Sequence, residues 1–217
     1  MSISWDADNV SINELDTGSK PSRSSQAYFT DPSSKSLYTW GGLRYQSESD
    51  RQDVWRLAVD GRGGGQWDRE ISENNEYFSD LIPASSVAST TTPHAAYLFG
   101  GGRWNTTGIE MVQGFYKYDF ERREWSEETD VGYPNGRLYS GSATYVSGFG
   151  DRGIIVILGG KTGFRTEDEA YLSFDTVHFY DVANGTWYEQ ETSGDEKPGR
   201  REHACAVGVR GEDSYEM

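Results

Sequence analysis

The stretch Tyr97-Leu98-Phe99-Gly100-Gly101-Gly102, followed by Tyr118-Asp119 and then Trp125, decides the fold of this chain. The same pattern stands on either side of it. Leu37-Tyr38-Thr39-Trp40 runs into Gly41-Gly42, with Asp60 and Trp67 beyond. Ile154-Ile155-Val156-Ile157-Leu158 runs into Gly159-Gly160, with Asp181 and Trp187 beyond. The diglycines begin at 41, 100 and 159, a constant 59 residues apart. A fixed period says the chain is built from copies of one supersecondary unit. Stacked units of this kind mostly present binding surfaces.

Each unit reads as four short strands. They are predicted at 25–30, 36–40, 53–59 and 66–70 in the first unit. In the second they fall at 86–91, 94–99, 114–118 and 123–127, and in the third at 138–146, 153–158, 176–180 and 186–190. Asp31-Pro32-Ser33-Ser34 carries turn chemistry, with proline presetting φ and the aspartate able to bond the backbone beyond it. Asn184-Gly185 is a strong hairpin signal. A diglycine lets a strand bend and lets a neighbouring backbone approach where a side chain would clash. The tryptophan of the fourth strand is suited to wedge between sheets, contributing a large buried area.

Composition agrees with an all-β protein. Of 217 residues, 35% are hydrophobic and 14% aromatic, and 26 are glycine. That is too aromatic for a disordered chain and supplies many tight turns. The net charge of −15 repels nucleic acid and anionic membranes, so neither is an expected partner. Cys205 stands alone, which excludes an intramolecular disulfide. No apolar run reaches the ~20 residues of a membrane span. The first residues, Met1-Ser2-Ile3-Ser4-Trp5-Asp6, have no charged n-region and no apolar h-region, so no secretory leader is expected there. The sequons at Asn9, Asn105 and Asn184 matter only on the secretory route.

These residues carry a family resemblance. Phe99-Gly100-Gly101-Gly102 with Tyr118-Asp119 and Trp125 resembles a kelch repeat, as does Leu158-Gly159-Gly160 with Tyr180-Asp181 and Trp187. In both, six residues separate the tyrosine from the tryptophan. The first unit departs: Val59 takes the tyrosine position, and a glycine-rich turn adds one residue. Pro21-Ser22-Arg23 and Pro198-Gly199-Arg200 also look kelch-like. Trp40-Gly41-Gly42, Asp60-Gly61-Arg62-Gly63-Gly64-Gly65-Gln66-Trp67 and Glu202-His203-Ala204-Cys205-Ala206-Val207 together resemble fungal kelch-repeat proteins in particular, which often look secreted or membrane-anchored. The resemblance implies the four-stranded blades of a kelch-type β-propeller.

Blades are expected at 21–71, 83–129 and 135–192. Residues 1–20 read as the remnant of a preceding blade and a linker, and 198–217 as the start of the next. A kelch ring usually needs six or seven blades, so the expectation is an incomplete propeller: either a fragment of a longer protein or an arc that self-associates through its open edges.

The resemblance also brings alternatives in enzyme chemistry. Galactose oxidase, a copper enzyme, has a related propeller with two histidines and a cysteine-linked tyrosine. His94, His178 and His203 fall in different units here, and Cys205 beside His203 does not reproduce that motif. Plant specifier proteins, iron-dependent kelch propellers, place a Glu, an Asp and a His four residues apart. The nearest stretch is Glu167-Asp168-Glu169 with Asp175 and His178. Asp175 lies three residues before the histidine, and Phe174 fills the required place. No catalytic residue, metal or cofactor is expected. The reading is a non-catalytic binding scaffold. After each diglycine the chain offers a cation with an aromatic nearby: Arg44 and Tyr45, Arg103 and Trp104, Lys161 and Phe164. Equivalent loops of a propeller converge on one face. Such groups could take an acidic peptide, a carboxylate or a sugar through charge-assisted bonds and stacking. The competing reading is that these cations merely offset an acidic surface.

Overall fold

A computed structural model describes residues 20, 23–43, 54–61, 64–76, 84–105, 108–168, 170–211 and 215–216. The architecture is three four-stranded antiparallel sheets, each a meander. The first comprises β1 (Ala27–Asp31), β2 (Ser36–Trp40), β3 (Val54–Val59) and β4 (Gly65–Glu70). The second comprises β5 (Ala88–Thr91), β6 (Ala95–Phe99), β9 (Phe115–Asp119) and β10 (Glu124–Glu128). Between β6 and β9 it carries a separate hairpin, β7 (Gly102–Asn105) with β8 (Gly108–Met111). The third comprises β11 (Ser142–Val146), β12 (Ile154–Leu158), β13 (Thr176–Asp181) and β14 (Thr186–Glu191). The sheets pack face to face in chain order with their first strands innermost: β5 lies against both β1 and β11. The result is an arc of kelch-type propeller blades.

Two cores lie between the blades, and strand alternation sorts residues into them. On β6, Ala96 and Leu98 join the core against the first sheet, while Ala95, Tyr97 and Phe99 join the core against the third. Every residue of β6 is therefore buried. Successive side chains of a strand point to opposite faces, so a blade held between two others is apolar on both. The repeated tryptophans sit where the repeat predicts. Trp125 packs 4.9 Å from Tyr118 in its own blade and 5.9 Å from Trp40 in the first. Trp187 meets Tyr133 edge-on at 5.4 Å and Phe99 at 6.0 Å. Truncating a ring buried this way costs ~3–5 kcal/mol. Trp67 is half-buried on β4, with the Lys20 ammonium 4.8 Å above its ring.

The diglycines are the joints of the arc. The second glycine of each pair donates its N–H to the next segment: Gly42 to Ala84, Gly101 to Leu138 and Gly160 to Arg201, at 2.7–2.8 Å. A Cβ on Gly100 would fall on the Leu138 carbonyl, and one on Gly41 on the Ala84 carbonyl. Two residues after each accepting carbonyl comes a second joint. Ser86 donates its N–H to the Ser25 carbonyl at 3.0 Å, Ser140 to Ser86 at 3.0 Å, and His203 to Ser140 at 2.9 Å. All four residues adopt left-handed backbone, φ 53–55°. Hydroxyls lace the inner strands further: Ser89 donates to the Tyr28 carbonyl at 3.0 Å, and Thr90 accepts from the Tyr145 N–H at 3.1 Å.

The structure departs from the sequence reading in three places. The inner strands start two residues or more beyond the expected serine or Leu138, because the left-handed residue breaks the extended run. The loop after Gly100-Gly101 is the β7–β8 hairpin. Where 198–217 are expected to start the next blade, 201–208 lie outside any ladder among the described residues. They still run along β11, where Ala206 donates to Ser142 Oγ and accepts from Thr144 Oγ1, and their exposure alternates with period two. Val209–Arg210 (β15) pairs with Tyr215–Glu216 (β16).

Candidate functional site

The loops between second and third strands of the second and third blades assemble on one end of the arc. On the β7–β8 hairpin, Arg103 lies opposite Glu110, and Glu110 bridges in turn to Arg165 in the loop after β12. Directly opposed residues project to the same side, so Arg103, Glu110 and Arg165 form one cross-strand row. The seam is closed by backbone bonds from the Met111 N–H to the Phe164 carbonyl, 2.9 Å, and from the Thr166 N–H to the Ile109 carbonyl, 3.3 Å. Loops of two blades thus form one continuous surface.

The charges are set by local partners. Glu110 accepts from the Arg103 guanidinium at 3.1 Å and from Asn105 at 3.3 Å. The hydrogen bond and charge of Arg103 hold the Glu110 carboxyl below its usual range. Asp168 shapes the opposing loop by accepting from the backbone N–H groups of Phe164, 2.7 Å, and Arg165, 3.0 Å. Those bonds, Arg165 first, depress its carboxyl too. Arg137, from the chain entering β11, lays its guanidinium 4.4 Å over the Phe164 ring and spends Nε on the Met111 carbonyl. Arg165 makes no ion pair among the described residues.

Of the residues singled out from sequence, Arg103, Trp104 and Phe164 come to this surface. Trp104 is 64% and Phe164 60% exposed. Lys161 is at its base and turned inward: its ammonium donates to the Thr166 carbonyl at 2.6 Å, pairs with Glu202 at 3.4 Å and lies 5.1 Å from the Tyr171 ring. Burial works against its charge, but Glu202 and Tyr171 outweigh it and hold the ammonium above its usual range. Lys161 ties loops together rather than facing solvent. Arg44 and Tyr45 lie outside the described residues. Sequence reasoning missed Arg137, Arg165 and Glu110. Gly136-Arg137 matches the Gly199-Arg200 pair quoted above, a signal that could have found Arg137.

The candidate metal stretch is dispersed. Asp168 is the turn acceptor just described. Asp175 is bound by Ser173 Oγ, 2.6 Å, and Lys197, 3.1 Å. His178 is buried on β13 with Nδ1 4.0 Å from Glu189. Among the described residues no three His, Cys, Asp or Glu side chains gather as a metal-binding group, and no helix is long and apolar enough to cross a membrane.

A meander of four strands, a diglycine at each joint and a tryptophan wedged against the preceding blade define a propeller of repeated blades. The chain belongs to the kelch-repeat family. A family model described as the KLHDC2/KLHL20/DRC7 Kelch-repeats domain matches residues 2–213. The chain is also similar to a "Kelch repeat-containing protein" of Arthroderma benhamiae, with 34% identity over 73 residues. That match takes in 34% of this chain and 10% of the relative's length. Kelch-repeat domains are commonly protein-interaction scaffolds and generally non-enzymatic.

Proposed function

We propose that the chain is a recognition scaffold. Its loop face takes an acidic segment of a partner protein through Arg103, Arg137 and Arg165, with Trp104 and Phe164 as contact surfaces. The observation that carries the reading is the seam between β8 and residues 164–166, because it puts Arg103 and Arg165, from loops of two blades, in one cross-strand row. Arg103 is already aligned by Glu110 and Arg137 by Phe164, so each loses less freedom on binding a carboxylate. Exposed aromatic rings beside arginine suit an interface core. The overall charge of −15 opposes an acidic partner at a distance. Attachment then depends on local contact and rewards only a segment that fits the row.

The test is fluorescence anisotropy with a labelled glutamate-rich decapeptide and a matched glutamine peptide. The glutamate peptide should bind more tightly, and its advantage should shrink as salt rises. Arg165→Glu and Trp104→Ala should each weaken it about tenfold, the scale of losing one charge-assisted bond or an anchor ring. Equal binding of both peptides, or indifference to both substitutions, overturns the reading.

A further inference from the structure

The two gaps between blades are built from the same positions and finished differently. Tyr38 and Tyr97 stand equally far before their diglycines. Each faces a cation across the next strand pair, Arg56 for Tyr38 and Lys117 for Tyr97. In the first gap the incoming blade contributes Phe120, whose ring lies 6.2 Å from Tyr38 and 5.9 Å from Tyr118. It also contributes Arg123, which crosses to the nearly buried Glu70 carboxylate with Nε 2.9 Å away. In the second gap, counting from Asp119 and Asp181, Val182 replaces Phe120 and Gly185 replaces Arg123. The turn is also shorter: residues 32–35 separate β1 from β2, and 92–94 separate β5 from β6. Ser34, which lines the first gap together with Tyr38, has no counterpart.

A cleft of about 270 Å³ lies between the second and third blades, at the end of the arc opposite the loop face, whereas the matching, more open hollow of the first gap is lined by Phe120 and by the Arg123–Glu70 ion pair. Tyr97 forms its floor and Val182 part of its rim, with Pro93 and Tyr145 beside them. Tyr97 is 3% exposed, and its hydroxyl oxygen keeps contact with the open cleft beside Asp119, Arg152 and Tyr145. There the phenol can both donate to and accept from a group that enters the cleft.

Charge defines what enters. Lys117 and Arg152 line the cleft with Asp119 and Asp151 opposite in sign, and neither cation makes an ion pair among the described residues. Just outside, Arg122 and Glu121 add one charge of each kind. An anion would meet two carboxylates and a cation two ammonium-type groups. A hydroxyl donates to a carboxylate and accepts from a cation at once, so a ligand rich in hydroxyls satisfies both sets. The volume lies below the roughly 300–1,000 Å³ of pockets that enclose drug-sized ligands. We propose that this cleft binds a neutral polyol of the size of one hexose, lying against the Tyr97 and Tyr145 side chains. The site is separate from the loop face and stands or falls independently of it.

The experiment is protein-observed NMR titration of the full chain with the methyl glycosides of glucose, galactose and mannose. Inorganic phosphate and glycine serve as an anion and a zwitterion. At least one glycoside should give saturable shifts that include the amides of Lys117, Arg152 and Val182. Val182→Phe, which reinstates the ring of the first gap, should abolish those shifts. Arg152→Gln, at an exposed turn, should weaken binding about tenfold. Tyr97→Phe should weaken it while leaving the melting temperature unchanged or higher. Trp104→Ala should have no effect. The proposal is overturned if no glycoside saturates, if phosphate or glycine binds the cleft more tightly than every glycoside, or if Val182→Phe and Arg152→Gln both bind as the parent does.

Discussion

Gly100 shows how much a single residue can decide. Its φ of +60° is left-handed, and a Cβ there would fall on the Leu138 carbonyl. Alanine must bear the left-handed cost of ~1–2 kcal/mol and also push two blades apart. Gly150 has φ +66°, but its Cβ would meet only an aspartate oxygen at 3.7 Å. Gly100→Ala is expected to lower stability by at least ~3 kcal/mol and Gly150→Ala by ~1–2 kcal/mol. Thermal unfolding of the two variants checks this; equal losses would mean the joint tolerates a side chain. The glycines and Trp125 were legible in the sequence because only a few residue types can do their work. The left-handed Ser25, Ser86 and Ser140 were not. Serine seldom takes positive φ, and the bond that holds it there comes from another blade.

At the scale of elements, the β7–β8 hairpin and residues 161–171 form a surface that sequence reading treated as two loops. The hairpin strands put Arg103 opposite Glu110 and show no apolar alternation, so pattern gave no sign of pairing. Arg165 and Arg137 join the site through contacts between units, which a repeat-by-repeat reading does not reach. Two carboxyls with depressed values brace the two loops that meet at this seam: Glu110, usually 4.5, within the hairpin, and Asp168, usually 3.8, within the facing loop. A group depressed on folding stabilises the folded form above its unfolded value and loses that contribution as pH falls through its folded one. Amide-exchange protection of Met111 and Thr166 is therefore expected to hold from neutral pH down to the usual carboxylate range and then fall, while β6 stays protected. Seam and β6 losing protection together would mean these carboxyls do not hold the loops locally. Glu110→Gln should remove part of the transition.

At the scale of the whole molecule, the described blades expose outer faces. On the third sheet Tyr188 is 44% exposed and stacks on Phe179 at 5.6 Å, on the side away from the second blade. Strand alternation makes this inevitable, since Tyr180 and Trp187 take the inner side. Apolar faces of this kind promote contact between molecules. Light scattering should show a mass above 24.3 kDa that rises with concentration. Tyr188→Lys should suppress the rise without altering the far-ultraviolet circular dichroism. A mass that stays monomeric throughout would show that this face is not adhesive.

The backbone chain through Ser25, Ser86, Ser140 and His203 has a direction. Every link offers a carbonyl forward and receives an N–H from the unit that follows. The recurring bond runs from main chain to main chain, so a serine and a histidine both serve it, and at the Ser140–His203 link the side chains add an Oγ–Nε2 hydrogen bond of 3.1 Å. The main-chain bond itself needs nothing of the side chains it joins. Duplicating or deleting a unit would leave its chemistry intact, and gap-lining positions such as Phe120 and Val182 are free to diverge without altering how the units are coupled.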